Sequence, residues 1–592
     1  MTLTRGEFLV LRELREHGAC SPHALAASTG LPEDAVDGIL ESCDRRAFVA
    51  DGAITDTGMA ALEPYRVENA VIMAAGVSSR FAPISYEIPK GLLKVRGEVL
   101  VERQIRQLRD AGIDDITLIV GYLGEKFSYL EQEFGVRIVV NPDYLDRNNN
   151  SSLWHVRDRL SNTYICSSDD YFTENPFERY VYKAYYAAEY AEGPTREWCL
   201  ELDRQDRIIG VAIGGSDAWY MLGHAYFDRA FSDRFVKILE NEYDLPETAS
   251  KLWEQIYADH VGAFDMEVRR YHGIIHEFDS LDEACGFDPG FIDEVDSSVL
   301  DNIAATLGCT RRDVRGIEVL EQGLTNMSFK FDVGDASYVY RHPGVGTDKF
   351  IDRHAETEAD KAAYELGVDP TFIYEDERRG WKISRFVRNA RTLDPENPEQ
   401  VRRAMETSRW IHESGVGIDT DFDFFENGVG YETLLKGHGP IDIPGYFETR
   451  EKVARLNAYR AADGYPKVLS HNDYLPLNLL FDEDGGMSVI DWEFAGMSDP
   501  GNDFGTFVIC SQYDRAQGDA ALAAYFDGNP SFEQRRHFWA CVVLGGWCWY
   551  VWALEKEAEG AGVGEWLDIY HSYCIDYIDM ALSWYESGEG GE

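Results

Sequence analysis

Two sets of phosphate-handling residues stand far apart on this chain, and no single core can present both. The first is Ala74-Ala75-Gly76-Val77-Ser78-Ser79-Arg80, followed by Pro89-Lys90-Gly91-Leu92-Leu93-Lys94. The second is His471-Asn472-Asp473, then Asn478, then Asp491-Trp492-Glu493. The first needs a small-residue loop at the end of a buried strand, and the second a catalytic loop followed by a hairpin. A chain of 592 residues has room for about two to four domains.

The patterning around each set agrees. Ala70-Val71-Ile72-Met73 reads as a short buried strand. A helix is predicted over about 101–111 with Gly112 as its stop, and apolar strands over 115–121, 137–141 and 163–166. Strands alternating with helices predict a mostly parallel, doubly wound, Rossmann-like α/β sheet. Upstream, helical spacing over 7–16, a cap at Ser21-Pro22 with a stop at Gly30, and a third start at Leu31-Pro32-Glu33 precede a hairpin around Asp51-Gly52. Three helices and a hairpin resemble a winged helix-turn-helix. Downstream, 288–298 has linker composition. Hairpins follow at 317–320 and 329–340, and helical segments dominate from about 400, a two-lobed, protein-kinase-like α+β plan. The expected domains are 1–66, 67–290 and 291–592.

Charge narrows the partners. Asp and Glu total 105 against 56 Lys and Arg, a net charge of -49, which repels nucleic acid and anionic membranes. The N-terminal module is itself acidic, so a regulatory or docking role is expected over DNA binding. The ten cysteines include no CxxC pair, which argues for reduced thiols without zinc. No secretory signal is visible, and a cytoplasmic location is expected. Residues 538–554 carry no charge but are interrupted by Gly545-Gly546. They fall short of the roughly 20 apolar residues of a membrane span and read as a buried helix.

At the first set, small residues let backbone N–H groups approach a phosphate, and Arg80 and Lys90 supply charge for attack on an α-phosphorus. These residues resemble the sugar-nucleotide-type nucleotidyltransferases. With Asn148-Asn149-Asn150-Ser151-Ser152-Leu153-Trp154, Asp169-Asp170-Tyr171-Phe172 and Glu277-Phe278-Asp279-Ser280, the resemblance over about 69–288 narrows to the bacterial CTP:phosphocholine cytidylyltransferases. It implies nucleotide binding by Ala74, Ala75, Gly76, Ser79, Arg80 and Lys90, and Mg²⁺ binding by Asp169 and Asp279. Asp170 stays open as the alternative ligand. Trp198 and Tyr226 are candidates for an aromatic wall around a quaternary ammonium group, with core packing the alternative.

At the second set, Asp473 has the place of a base, and Asn478 and Asp491 those of Mg²⁺ ligands. The pattern resembles the aminoglycoside phosphotransferase and choline kinase superfamily. The run Asp491-Trp492-Glu493-Phe494-Ala495-Gly496, then Asp499-Pro500 and Asp503, and the turn Gly323-Leu324-Thr325-Asn326 narrow it, over about 315–585, to the bacterial choline kinases. The resemblance implies that Thr325, Asn326 and Arg341 hold ATP and that Glu356 partners Arg341. It also implies that Trp549 and Trp552, three apart on a helix, form a choline cage completed by Trp492 and Glu493, with Tyr570 a further candidate. Core packing remains the alternative for the tryptophans. A kinase makes a phosphomonoester and a nucleotidyltransferase consumes one. The expected substrates are therefore choline, ATP and CTP. Ethanolamine or another amino alcohol is the first alternative, and a ligand-sensing DNA-binding regulator the second.

Overall fold

The computed structural model describes residues 2–320, 326–344, 351–560 and 562–588. The chain divides into two compact units, Met1–Asn302 and Ile303–Glu592.

The first unit opens with helices Arg5–His17, Pro22–Thr29 and Glu33–Arg45, then strands Val49–Ala50 and Ala53–Ile54. Thr4 and Glu7 form a capping box, Ser21 caps the second helix, and Gly30 ends it in the left-handed region. Phe8, Leu11, Leu14, Leu25 and Val36 fill the core, which also takes in Tyr180 and touches Tyr182. The rings of Phe8, Tyr65 and Tyr182 lie 5.3–5.6 Å apart. Arg12 pairs with Glu178 at 3.1 Å and Arg5 with Glu267 at 3.0 Å. The module is thus built onto the sheet that follows it.

That sheet has seven strands, in the order Glu267–Arg270, Tyr185–Leu202, Ile208–Phe227, Thr163–Ser167, Asn69–Ala74, Ile116–Val120, Arg137–Val140. The last four run parallel, where alternation predicted a parallel sheet. The long hairpin Tyr185–Leu202/Ile208–Phe227 is antiparallel to itself and to Thr163–Ser167, so the whole sheet is mixed. Apolar clusters cover both faces. Three of the parallel strands end at Ala74, Val140 and Ser167, and the loops that follow them build the first site.

The second unit opens on an antiparallel sheet in the order Val314–Leu320, Asn326–Val333, Ala336–Pro343, Trp381–Arg385, Phe372–Asp376, with helix Arg353–Glu365 beside it. A helical lobe follows. Its helix Phe532–Ala558 is long and apolar enough to cross a membrane, but 94% of its apolar window is buried. A Cβ at Gly546 would come within 2.9 Å of the Cys574 backbone nitrogen, so glycine there lets helix Trp566–Ser587 pack closely.

Candidate active sites

A cavity of about 750 Å³ opens at the carboxyl ends of the parallel strands, where such sheets bind ligands. Ala74, Ala75, Gly76, Ser79, Arg80, Lys90, Asp169 and Asp279 all line it. Ser78 bends the loop through the left-handed region. A Cβ at Gly91 would lie 2.7 Å from Ser168 Oγ, so glycine lets the Lys90 segment close onto the strand end. Lys90 Nζ lies 2.5 Å from Asp169 Oδ2 and 3.6 Å from Asp279 Oδ1, and Arg80 Nη1 donates to Asp279 Oδ2 at 3.0 Å. Four residues from three separated segments therefore meet.

The electrostatics assign unlike roles to neighbours. Burial opposes the Lys90 charge, but Asp169 more than offsets it and the ammonium is held protonated. Burial likewise raises Asp169, while Lys90 and the Ser167 hydroxyl, at 2.5 Å, hold it ionised. Asp170 is buried with both carboxylate oxygens lacking a hydrogen-bond donor among the described residues, and burial pushes it well up. Asp169, not Asp170, lines the cavity. Glu277 lines it too, pushed up to about 8 by burial and then by Asp169. Sequence reasoning gave Glu277 no role, although it stands two residues before Asp279. Asn149 ties the cavity wall to helix Trp253–Asp259, donating to Glu254 at 3.1 Å and accepting from Trp253 N at 2.7 Å.

Two aromatic candidates of this unit fall elsewhere. Trp198 is half-buried against the core beside Thr163–Ser167 and is not among the cavity residues. Its strand pairs it with Ile213 in the long hairpin. Tyr226 is fully buried.

In the second unit a cavity of about 920 Å³ is lined by Asn326, Arg341, Lys382, Leu477, Ile490 and Asp491, among others. Thr325 lies outside the described residues. Arg341 and Glu356 form a buried ion pair, and Arg353 Nη1 holds the other Glu356 oxygen at 2.9 Å. Arg341 Nη1 reaches Asp491 Oδ1 at 3.4 Å. Asn478 Nδ2 donates to Asp473 Oδ2 at 3.1 Å and to the Asp473 carbonyl at 3.0 Å. Burial, then the Asp491 carboxylate, push Asp473 up to about 7. Asn472 and Asp491 both take left-handed φ, 64° and 67°, a strain that clusters at functional sites. Asp503, a motif residue to which the sequence attached no separate role, braces this loop. It accepts from His471 N at 3.3 Å and Asn472 N at 2.7 Å, and is itself hydrogen-bonded to His412.

The expected cage is rearranged. Trp492 is fully buried, donates Nε1–H to the Val489 carbonyl at 2.9 Å and lies against His471; it is a core residue. Glu493 turns away from the tryptophans, accepting from Asn326 at 2.8 Å and standing 3.9 Å from Arg341. Its carboxylate clusters with those of Glu356 and Asp491 within 4.8 Å. Burial and Asp491 push it up to about 8. Trp549 and Trp552 meet edge-on at 6.1 Å, with Trp549 among Phe422, Phe424 and Phe494. Both are buried. Asp473 is among the charges acting on the phenols of buried Tyr431 and half-buried Tyr570, which burial foremost pushes up. Trp549 Nε1 donates to Thr506 Oγ1 at 3.4 Å, and Thr506 donates to the Asn472 carbonyl at 2.7 Å, so the aromatic cluster adjoins the Asp473 loop.

Residues 70–186 match the model of the MobA-like NTP transferase domain, and residues 316–538 that of the Phosphotransferase enzyme family. The choline-phosphate cytidylyltransferase of Streptococcus pneumoniae is 32% identical over 36% of this chain and 94% of its own length. The 2-aminoethylphosphonate cytidylyltransferase of Lancefieldella rimae is 33% identical over 38% of this chain and 93% of its own. The crystal structure of choline kinase LicA from Streptococcus pneumoniae is 24% identical, with a TM-score of 0.43, over 48% of this chain and 97% of that one. With a cytidylyltransferase relative covered almost end to end and a phosphotransferase-family region beyond it, the chain belongs to the cytidylyltransferase family and is a transferase of phosphorus-containing groups that joins two such domains.

Proposed function

We propose that the chain makes CDP-choline in two steps. One observation carries the reading: a kinase-type site and a relative of choline-phosphate cytidylyltransferase occur on one chain, and the product of the first is the substrate of the second. In the first step the choline hydroxyl oxygen attacks the γ-phosphorus of ATP, the bond to the β-bridging oxygen breaks, and Asp473 accepts the hydroxyl proton. Arg341, held by Glu356, neutralises phosphate charge, and Asn326 borders the nucleotide. Trp549 and Trp552, with Tyr431 and Tyr570, face the trimethylammonium group. In the second step a phosphocholine oxygen attacks the α-phosphorus of CTP and pyrophosphate leaves. Lys90 and Arg80 stabilise the charge developing between the two anions, and no protein nucleophile is required.

Mg²⁺ fits both donor sets, which are oxygen-rich as a hard cation requires: Asp169 with Asp279, and Asn478, Asp491 and Glu493. The carboxylate cluster at Glu356, Asp491 and Glu493 is the observation that favours a divalent ion. When bound, the ion supplies charge neutralisation between nucleotide and acceptor.

We further propose the domain limits 1–66, 67–290 and 291–592, a winged-helix identity for the first, and a cytoplasmic location. The third helix of the module exposes Glu33, Asp34, Asp37, Glu41 and Asp44, which disfavours DNA and with it a regulator. The 2-aminoethylphosphonate relative raises a second reading. A phosphonate already carries its phosphorus, so a kinase domain would be superfluous. An amino alcohol other than choline is the alternative that keeps both units. The test is incubation with choline, ATP, CTP and Mg²⁺, with products resolved by mass. Phosphocholine, ADP, CDP-choline and pyrophosphate are expected. Phosphorylation of ethanolamine in place of choline would refute the substrate.

A further inference from the structure

Helix Arg353–Glu365 meets the sheet of the second unit through two ion pairs on successive turns. Glu356 and Asp360 are four residues apart and share a helix face. Glu356 holds Arg341, on strand Ala336–Pro343. Asp360 holds Lys382, on strand Trp381–Arg385, with Nζ 2.7 Å from one carboxylate oxygen and 2.6 Å from the other. Arg341 and Lys382 stand directly opposite each other in the antiparallel register. All four side chains are buried. Glu375, opposite Lys382 on the next strand, lies 3.7 Å from Arg341.

A single ion pair is a pivot. A helix anchored only at Glu356 can roll about that point, carrying the Arg341 guanidinium with it. A second anchor one turn along, about 5.4 Å further, removes that freedom. Both charges of the second pair are out of water, so parting them leaves a buried charge unpaired. Lys382 lines the same cavity as Arg341 and Asp491, but its ammonium is engaged by Asp360.

We propose that Lys382 and Asp360 are positioning residues: a second clamp that sets the roll of helix Arg353–Glu365, so that Glu356 presents Arg341 to the nucleotide before the nucleotide binds. This rests on the kinase reading above. The clamp makes the site constitutively assembled, with no helix movement needed to form the Arg341–Glu356 pair.

The test is calorimetric binding of a non-hydrolysable ATP analogue with Mg²⁺ to the full chain, with choline binding measured alongside. Wild type should bind the analogue. Lys382→Met should weaken it at least tenfold and leave choline affinity within twofold. Lys382→Arg, which keeps the charge, should stay within threefold of wild type. Asp360→Asn leaves Lys382 in place and should still weaken the analogue at least threefold, which a direct Lys382–nucleotide contact would not produce. Should Lys382→Met fail to fold, Asp360→Asn carries the test. A folded Asp360→Asn protein with unchanged analogue affinity and only a lowered melting temperature would overturn the clamp, leaving the pair a stability element. No analogue binding by wild type would overturn the kinase reading and the clamp with it.

Discussion

Replacing Lys90 by Met should disable one chemistry and spare the other. Lys90 is only 8% exposed and lies 2.5 Å from Asp169 and 3.6 Å from Asp279, so it is a fixed charge in a water-poor pocket. A unit charge about 4 Å from another interacts by about 4 kcal/mol at an effective dielectric of about 20. Measured losses for removing one such charge-stabilising group are about 2.7–4 kcal/mol, or roughly a hundred- to a thousandfold in kcat. Met keeps the stem and removes only the charge, so CDP-choline synthesis from supplied phosphocholine and CTP should fall by that factor. Asp169 also loses the partner that offsets its burial, and its carboxyl should move up. Pyrophosphate release measures the cytidylyltransferase, and ADP release from choline and ATP measures the other unit on the same polypeptide. Lys90→Met protein that kept its kinase rate and made CDP-choline within threefold of wild type would refute the role of Lys90.

Asp473→Ala should abolish phosphocholine formation and leave cytidylyl transfer intact; loss of both rates in folded protein would sink the two-site reading. Trp549→Ala or Trp552→Ala should raise the choline KM roughly five- to thirtyfold, as expected for about 1–2 kcal/mol of cation–π energy, and the ATP KM far less. Both rings are buried, so the same variants should lose about 3–5 kcal/mol of stability, and unchanged choline preference would make them core residues alone. Phe8→Ala should destabilise the first unit by about 3–5 kcal/mol, because Phe8 joins the N-terminal module to Tyr182; an unchanged melting temperature would mean that the module is only tethered.

What could be read in advance followed local chemistry. Asn69–Ala74, Ile116–Val120 and Thr163–Ser167 are short apolar runs between turn residues, so the parallel half of the sheet was visible. The long hairpin was not. Its stretch Glu192-Gly193-Pro194-Thr195-Arg196-Glu197 has loop composition, and a ribbon with much of both faces in water shows no alternation. Trp492 and Glu493 are neighbours in sequence, yet one turns into the core and the other to Asn326 and Arg341; adjacency on a loop does not give direction. Trp549 and Trp552 stayed ambiguous because helix Phe532–Ala558 is buried nearly all round, so its periodicity points nowhere. Glu277 and Asp503 stand in recognisable motifs that say nothing of their individual roles, whereas Asp360 and Lys382 are common residue types in unremarkable segments. Only tertiary contacts, such as the register that sets Arg341 opposite Lys382, pick them out.

The first cavity holds more carboxylates than cations, the reverse of what a free triphosphate would select. It sets Asp146, Asp169, Glu277 and Asp279 against Arg80, Lys90 and Arg147. The second is lined by Arg341, Lys382, Arg385 and Arg391 against Asp369 and Asp491, but Glu356, Glu375, Asp491 and Glu493 crowd Arg341 itself, with Arg353 on the far side of Glu356. Free CTP would add further negative charge to a pocket that already repels it, and free ATP would meet the carboxylates around Arg341. The nucleotide should therefore be taken up with its divalent ion, and the acidic residues are useful only in that company. Stripping Mg²⁺ with EDTA should weaken CTP and ATP binding by at least about a hundredfold, at the upper end of the typical coupling of about 1–3 kcal/mol between two ligands. By the same linkage, Mg²⁺ alone should bind each site weakly and gain affinity by the same factor when nucleotide is present. Calorimetry with each nucleotide, with and without the metal, measures both arms of that cycle. Equal affinity for metal-free and metal-bound CTP would mean that Lys90 and Arg80 suffice by themselves, and would remove Asp169 and Asp279 from the metal site.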